Sequence, residues 1–485
     1  MLIIMYKILI KSLIIIFCIS QMALSETVFD NPKDIFMDYV KYGEEVAEKK
    51  QQYLDAQIQL DLDIQNVYLT LPQCLDIALQ NNIGMKIANN NALSARWDYN
   101  SKRAEFIPDV SGNFKLSQVR GTFLLGGVAP DVVREIPIYF SILTQYNAFN
   151  NNKIFFETKI KQLYKKQAQN NNEFTKDEVI LKTTLKYYDL LSKKLNIEVL
   201  RTNLLDREEQ LRMTQARYEI GAGEKFDVLR AEAQLQIAKR DLVTELNALR
   251  FAQAELAYIL GIDILTPVYP KDTKIKTLKL YDGDYDIDNI YKLALEIRPD
   301  IRAKEFELKA KRVERNSNWA DYIPRLYLYY QYTQSGLLGD SIKYGDTLAL
   351  ELNVPVGKNL GVKTYTNYKM ADENLKKATW QFENYKRDIK KNIMESVYNS
   401  SAALEKIEAS KKEVDAAQLS LDTALVRMEI GEATFLDVIE AQATKINARQ
   451  GLISNVIEYN CSQVKLLFES GLITASDIIE KYEQE

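Results

Sequence analysis

The chain writes one phrase twice. Residues 216–234 read ARYEIGAGEKFDVLRAEAQ and residues 426–444 read VRMEIGEATFLDVIEAQAT. At an offset of 210 residues, Arg217, Glu219, Ile220, Gly221, Asp227, Val228, Ala231 and Ala233 meet Arg427, Glu429, Ile430, Gly431, Asp437, Val438, Ala441 and Ala443. Stacked repeats have periods of ~20–50 residues, so this is a duplicated half-protein. Other pairs extend it. Ala78-Leu79 meets Ala294-Leu295 and Ile107-Pro108 meets Ile323-Pro324 at an offset of 216, and Tyr188 meets Tyr398 at 210. Each half reads as a helix, an Ile-Pro stop, a β region, a long helix, the glycine phrase and a second helix.

Proline sets the scale of the helices. None of the ten prolines lies between Pro137 and Pro267, and none follows Pro355. Proline removes a donor and clashes inside a helix, so such stretches suit long helices. In the second half a 4-3 spacing runs through Ile393, Val397, Ser400, Leu404, Ile407, Lys411, Val414, Gln418, Leu421, Leu425 and Met428. Apolar residues dominate it, which predicts coiled-coil packing along that seam. The first half carries a looser version through Leu181, Leu185, Tyr188, Ser192, Leu195 and Val199. Gly221, Gly223 and Gly431 follow these runs as C-terminal stops. Thr434 is an N-cap candidate, and Asp227 and Asp437 fall in or near the next first turns. Each phrase is therefore expected to be a helix-turn-helix tip.

Each Ile-Pro pair ends a helix and starts an extended segment, because proline disfavours helix in the residue before it. Val110, Gly112, Phe114 and Leu116 alternate with polar residues, and Leu326, Leu328, Tyr330 and Tyr332 share a face in the other half. Returning strands carry Ile138, Phe140 and Ile142, and Leu348, Leu350, Leu352 and Val354. Strands are expected at about 109–120, 136–147, 324–334 and 346–356. Two soluble hairpins packed on a core would show the same alternation. Four strands are too few to close a barrel alone, and the tyrosines of 327–332 suit a membrane-interface girdle, so a barrel shared among subunits is the preferred reading.

Residues 1–25 read as a secretory signal, with Lys7 and Lys11 before an apolar run and Ala23-Leu24-Ser25 before the cut. An uncleaved anchor is the alternative, but the apolar run is short of the ~20 residues a span needs. Residues 26–66 form an extension expected to be helical. A first repeat covers 67–261, a linker 262–286, a second repeat 287–470 and a tail 471–485. The net charge of −4 offers nothing for nucleic acid. Histidine is absent, which removes the commonest general base and metal ligand. No nucleophile–base pair or metal spacing stands out, so no catalytic residue, cofactor or metal site is expected and the chain does not read as an enzyme.

With these features in order, the chain resembles a TolC-like outer-membrane efflux protein. The resembling segments are LTLPQCLDIALQNN (69–82), LEIRPDI (295–301), the two Ile-Pro strand starts, LNVPV (352–356) and the two phrases. The resemblance implies a fold that is mostly α with a small β part. Its duplicated halves form long coiled-coil-like hairpins, and four strands per subunit join a trimeric twelve-stranded outer-membrane β-barrel. It implies a homotrimeric channel that exports small molecules or proteins. Its partners would be outer-membrane lipid, a periplasmic adaptor, and an inner-membrane pump or ABC exporter.

By motif position, Asp437 and Glu440 would ring the periplasmic aperture as a cation-favouring filter. Three apart, they share a helix face. The plainer reading is that Asp437 only supports its helix start. Asp227 and Arg230 are latch candidates, and the turns at Gly221, Gly223 and Gly431 are candidates for adaptor docking. A tyrosine and an arginine that hold the mouth closed in well-known members fall on Met428 and Ala433 here. Arg230 pairing with Asp437 or Glu440 of a neighbouring helix would be a substitute latch. Cys74 and Cys461 read as two buried thiols, with a disulfide as the alternative. A periplasmic adaptor with a helical hairpin and an exported coiled-coil structural protein are the rival functions. Adaptors carry one hairpin rather than two duplicated tips, and a coiled-coil protein needs no matched strand hairpins.

Overall fold

Proline and glycine set the element boundaries in both halves of the computed structural model. It describes residues 67–485 except 118, 124–130, 136, 151–152, 222, 282–284, 338–341, 355–360, 431 and 485. The signal reading at 1–25 and the extension at 26–66 lie outside the described residues.

The first half runs β1 (Val67–Leu69), α1 (Leu71–Asn81), α2 (Ile83–Ala104), β2 (Asp109–Leu116), β3 (Val119–Phe123), β4 (Asp131–Glu135), β5 (Pro137–Asn150), α3 (Lys153–Glu219) and α4 (Lys225–Leu260). After β6 (Val268–Pro270), the second half runs α5 (Ile287–Ile297), α6 (Pro299–Ser317), a 3-10 turn (Asn318–Tyr322), β7 (Arg325–Leu337), β8 (Lys343–Asn353), α7 (Val362–Glu429) and α8 (Phe435–Ser470). A last helix, α9, spans Ala475–Gln484. Two compact units result. One is built on Ser94–Lys165 and Phe306–Thr379, the other on Ile64–Leu93, Lys166–Glu305 and Trp380–Glu485.

The first unit holds an antiparallel sheet in the order β2-β5-β7-β8. Its register sorts the side chains by face. Phe114 lies opposite Phe140, Gly112 opposite Ile142, Ile142 opposite Tyr332, Tyr330 opposite Leu348, Leu328 opposite Leu350, and Leu326 opposite Leu352. Because strand side chains alternate, all of these share one largely apolar face, which also carries Thr144, Gln334 and Asp346. The other face carries Asn113, Ser141, Thr333, Gln331, Thr347, Tyr329, Gln145 and Glu351. Among the described residues, the outer sides of β2 and β8 have no strand partner. The first strand is shorter than the alternation suggested. It ends at Leu116, and β3 pairs with β4 as a separate hairpin.

The second unit is helical. Helices α7 and α8 run antiparallel, with Ala403 and Ile407 against Val456 and Tyr459, and Leu421 against Val438 and Ala441. The buried stripe of α7 is Ile393, Ser396, Val397, Ser400, Ala403, Ile407, Ser410, Ala417 and Leu421. Ile393, Val397, Ser400, Ile407 and Leu421 are buried as expected, but four of the eleven expected positions, Leu404, Lys411, Gln418 and Leu425, give way to the residue before them. Leu404, at 48 % exposed, and Leu425, at 36 %, face outward, while Ala403 and Ala417 face in. Close approach of the helices selects small side chains over large apolar ones. The serines add hydrogen bonds: Asn455 donates to Ser410 Oγ at 2.6 Å, and Gln463 donates to Ser400 Oγ.

The duplication reappears as matched contacts. Helices α4 and α8 both end on left-handed glycines, Gly261 (φ 71°) and Gly471 (φ 76°). Asn82 Nδ2 donates to the Ile259 carbonyl at 2.7 Å, and Arg298 Nη1 donates to the Glu469 carbonyl at 2.8 Å. The donors are 216 residues apart and the acceptors 210, which are the two offsets of the repeat. Arg298 is buried with Asp300 at 2.7 Å and Glu469 at 2.7 Å. Burial opposes its charge, but these partners outweigh burial and hold its pKa above the ordinary value.

The linker is stitched to this core. Strand β6 pairs parallel with β1. Asn460 and Gln463 of α8 accept from the backbone amides of Leu278 (2.9 Å) and Tyr281 (3.1 Å). The Asp272 carboxylate accepts from Tyr187 (2.7 Å) and from Tyr482 of α9 (2.5 Å). Cys74 and Cys461 are free thiols, each pushed up to about 12 chiefly by burial.

Two predictions follow from this packing. A Cβ at Gly261 would lie 2.4 Å from the Asn81 carbonyl oxygen, whereas one at Gly221, also left-handed, meets nothing within 4 Å. Denaturant titration is expected to show a loss of ~1–2 kcal/mol for Gly221→Ala, from backbone strain alone. Gly261→Ala adds a backbone clash and should lose at least ~1 kcal/mol more. Second, burial and then Glu173 raise the Asp177 carboxyl to about 6. Its proton leaves the unfolded chain at pH ~4 but the folded chain only near 6, so this group lowers stability as pH rises through that window. The stability advantage of Asp177→Asn over wild type should grow between those pH values and level off above them.

Candidate functional site

The repeated phrases form two tips, and the structure builds them differently. At the first, α3 ends at Glu219 and Gly221 turns the chain with φ 76°. The Gly221 amide donates to the Tyr218 carbonyl at 3.0 Å. A Cβ at Gly223 would press on the backbone of Tyr218 and Arg217 at 3.2–3.3 Å, so this turn fits its glycine closely. Helix α4 restarts after Glu224, which makes no side-chain cap. Asp227 sits in the first turn, where the helix dipole favours a carboxylate. Arg230 lies over the Phe226 ring, 4.6 Å from its centroid.

At the second tip the amides of Glu432 and Ala433 both donate to the Arg427 carbonyl, at 2.8 and 3.2 Å. Gly431 lies outside the described residues. Thr434 and Asp437 then close a capping box. The Thr434 amide donates to Asp437 Oδ2 at 2.7 Å, and the Asp437 amide donates to Thr434 Oγ1 at 3.3 Å. The bond from the Thr434 amide, and then that from its hydroxyl, hold the Asp437 carboxyl below the usual carboxylate range. Asp437 and Glu440 are both exposed, three residues apart on α8. Met428 packs beside Leu421, Val438 and Ala441, so it is part of the apolar seam just before the turn.

Near the tips lies a polar cluster with no counterpart in the sequence reading. Gln442, only 2 % exposed, donates to Asp206 Oδ2 at 3.2 Å and accepts from Gln210. Arg207, also buried, donates to Gln210 Oε1 at 3.0 Å. Burial lowers the Arg207 pKa, and Asp206 opposes that shift. These contacts tie the outgoing helix of the first half to the returning helix of the second. The signal was present as the spacing of Asn203, Arg207, Gln210 and Thr214, which is a heptad stripe written in polar residues.

A family model described as outer membrane efflux protein matches residues 74–262 and again 290–467, one match in each half. The chain belongs to the outer membrane efflux protein family. Among its efflux and secretion relatives, the alkaline protease secretion protein AprF of Pseudomonas aeruginosa is 22 % identical over 307 residues, 62 % of this chain and 63 % of that protein. The outer membrane protein TolC of Salmonella enteritidis is 24 % identical over 321 residues, 62 % of each. The chain thus spans less than two thirds of the length of either. The Campylobacter jejuni CmeC outer membrane channel shares the fold with a TM-score of 0.75 at 17 % identity, over 84 % of this chain and 88 % of that one. The efflux-family fold, mostly helical with a small sheet, is the one described above.

The two helix starts make a direct comparison. Thr434→Ala removes the cap of α8 and should cost about 1 kcal/mol in a denaturant titration. Glu224→Ala, which loses no cap bond, should cost much less. The Asp437 contribution is present above the ordinary carboxylate pKa and is lost as pH falls through its lower folded value.

Proposed function

We propose that the protein is an export channel of the outer membrane, working as a homotrimer. The observation that carries this reading is the four-stranded sheet with one largely apolar face, one more polar face and, among the described residues, two edges without a strand partner. In hydrocarbon, backbone donors and acceptors must be satisfied within the protein. Three copies joined edge to edge give twelve strands and leave no edge open, with the apolar face toward lipid and the polar face toward a lumen. Among the described residues no helix is long and apolar enough to cross a membrane. Large apolar side chains exposed along the long helices support association with further copies, among them Leu205, Val243, Phe251 and Leu419.

In this reading the helical hairpins extend into the periplasm and the two tips form the mouth. The mouth receives cargo from an inner-membrane pump or ABC exporter through a periplasmic adaptor, which docks at the turns of Gly221, Gly223 and Gly431. Cargo is a small toxic compound or a protein. Asp437 and Glu440 from three copies set six carboxylates around the opening and favour cations. Capping does not conflict with that role, since both side-chain bonds of Asp437 to Thr434 fall on Oδ2 and the carboxylate stays ionised. Asp227 and Arg230 latch the closed mouth against neighbouring copies.

Single-channel recording in planar bilayers tests this, with Asp437→Asn/Glu440→Gln alongside wild type. The amides keep acceptors for the cap that alanine would remove. Discrete cation-selective steps in wild type, with selectivity lost in the double variant, are expected. Steps of unchanged selectivity would keep the channel and discard the acidic ring. A folded protein that never inserts into lipid would overturn the channel.

A further inference from the structure

Both halves make the same junction where strand gives way to long helix, and both place similar side chains there. At the 210-residue offset, Lys153 and Phe155 in the first turn of α3 match Lys363 and Tyr365 in the first turn of α7. At the 216-residue offset, Phe106 matches Tyr322, each just before an Ile-Pro pair. Phe106 stands edge-on to Phe155 with ring centroids 5.1 Å apart. Tyr322 packs on Trp319 at 5.8 Å, and Trp319 on Tyr368 at 5.0 Å. The Tyr322 hydroxyl donates to the Gly361 carbonyl at 3.0 Å, which fixes the ring beside the start of α7.

These rings are not core. Phe155 is 55 % exposed, Trp319 49 % and Tyr365 53 %. They adjoin the helix-bearing end of the sheet, where Val110, Leu352 and Val354 of the apolar face are also exposed. Of the cations beside them, Lys153 and Lys363 are the available ones. Lys102 is held by Glu105 and Glu157, each at 2.6 Å. Lys153 keeps half of its side-chain surface exposed and reaches Glu157 only at 3.8 Å. Lys363 is exposed, and no described ion pair engages it. Rings with an apolar body and a polar edge settle at headgroup depth, and lysines beside them extend toward phosphate.

We propose that these two junctions, one of Phe106, Lys153 and Phe155 and one of Trp319, Tyr322, Lys363 and Tyr365, bind the phosphate-bearing headgroups of phospholipids in the periplasmic leaflet of the outer membrane. This rests on the membrane reading of the sheet and adds its lipid contact. A protein neighbour would have to bring a carboxylate to each lysine, whereas a phospholipid brings its own anion together with acyl chains for the rings. The duplication gives two sites per chain and six in a trimer.

Tryptophan quenching in vesicles tests this with the full chain. Of the three tryptophans, Trp97→Phe/Trp380→Phe leaves Trp319 alone. A second variant carries Leu350→Trp with Trp97, Trp319 and Trp380 all changed to Phe, and reports insertion of the sheet. Vesicles contain phosphatidylcholine and phosphatidylglycerol, one of them brominated either near the headgroup or at mid-chain. Trp319 should lose more emission to bromines near the headgroup. Brominated phosphatidylglycerol should quench it more than brominated phosphatidylcholine, an enrichment of roughly fivefold per lysine. Lys153→Gln/Lys363→Gln should abolish that preference. Quenching of the Leu350→Trp variant with none at Trp319 would mean that the sheet inserts while a second copy covers the junction, and overturns the proposal. A lipid preference that survives the double substitution overturns the role of the lysines. No quenching of either reporter overturns the membrane reading and this proposal with it.

Discussion

The backbone groups along the outer sides of β2 and β8 pose the problem that the rest of the chain answers. Each unpaired N–H or C=O costs several kcal/mol in hydrocarbon, yet the apolar face beside them is poorly placed in water. One chain cannot meet both demands with four strands. The duplication suggests how copies do. Inside the chain, the hairpin of the first half joins that of the second through β5 and β7. The proposed junction between copies, β8 against β2, repeats that arrangement with the outer strands. The edges of one chain are then the interior of the assembly.

Long helices raise a second constraint. Helix α7 runs for 68 residues, and helices of this kind draw their stability from what packs beside them rather than from intrinsic propensity. The seam against α8 meets the need with small residues, and its serines pair with carboxamides on the facing helix. Small residues let the backbones approach and leave the large apolar side chains, such as Leu404 and Leu419, on the outside. A seam of leucines would have used that apolar surface within one chain. The observed phase leaves it on the outside, where the contacts between copies proposed above would use it.

How much of this was legible in the sequence depended on the range of the interaction. Ile107-Pro108 and Ile323-Pro324 act on their own backbone, so the strand starts could be read directly. The alternation of Leu348, Leu350, Leu352 and Val354 and the glycine stop at Gly221 are local in the same sense. The phase of the α7 seam was not legible, because Leu404 and Leu425 score higher on hydropathy than Ala403 and Ala424, and only the distance between two helices decides between them. The pairing of β1 with β6, three residues each, was too short to leave a periodic trace. At the tips, the Thr434 cap could be read from residue type and spacing. The Gln442 cluster left one trace, the polar heptad stripe of Asn203, Arg207, Gln210 and Thr214, but its pairing was not legible, since Asp206 and Gln210 are more than 230 residues from Gln442 in sequence.

The two tips show how duplication leaves room for division of labour. Both inherit an aspartate at the same place, Asp227 and Asp437, but only the second tip has a threonine to engage it. The bonds from Thr434 depress the Asp437 pKa and fix its carboxylate at the start of α8. A charge fixed by the backbone of a helix start is a better filter element than one on a free side chain, because less ordering is needed as an ion passes. At the first tip Glu224 makes no such cap, and Arg230 rests on Phe226. A guanidinium held by a ring rather than a carboxylate can exchange partners at modest electrostatic cost. Within the proposed channel, that favours the fixed second tip as the charged rim of the mouth and the first tip as its adjustable latch.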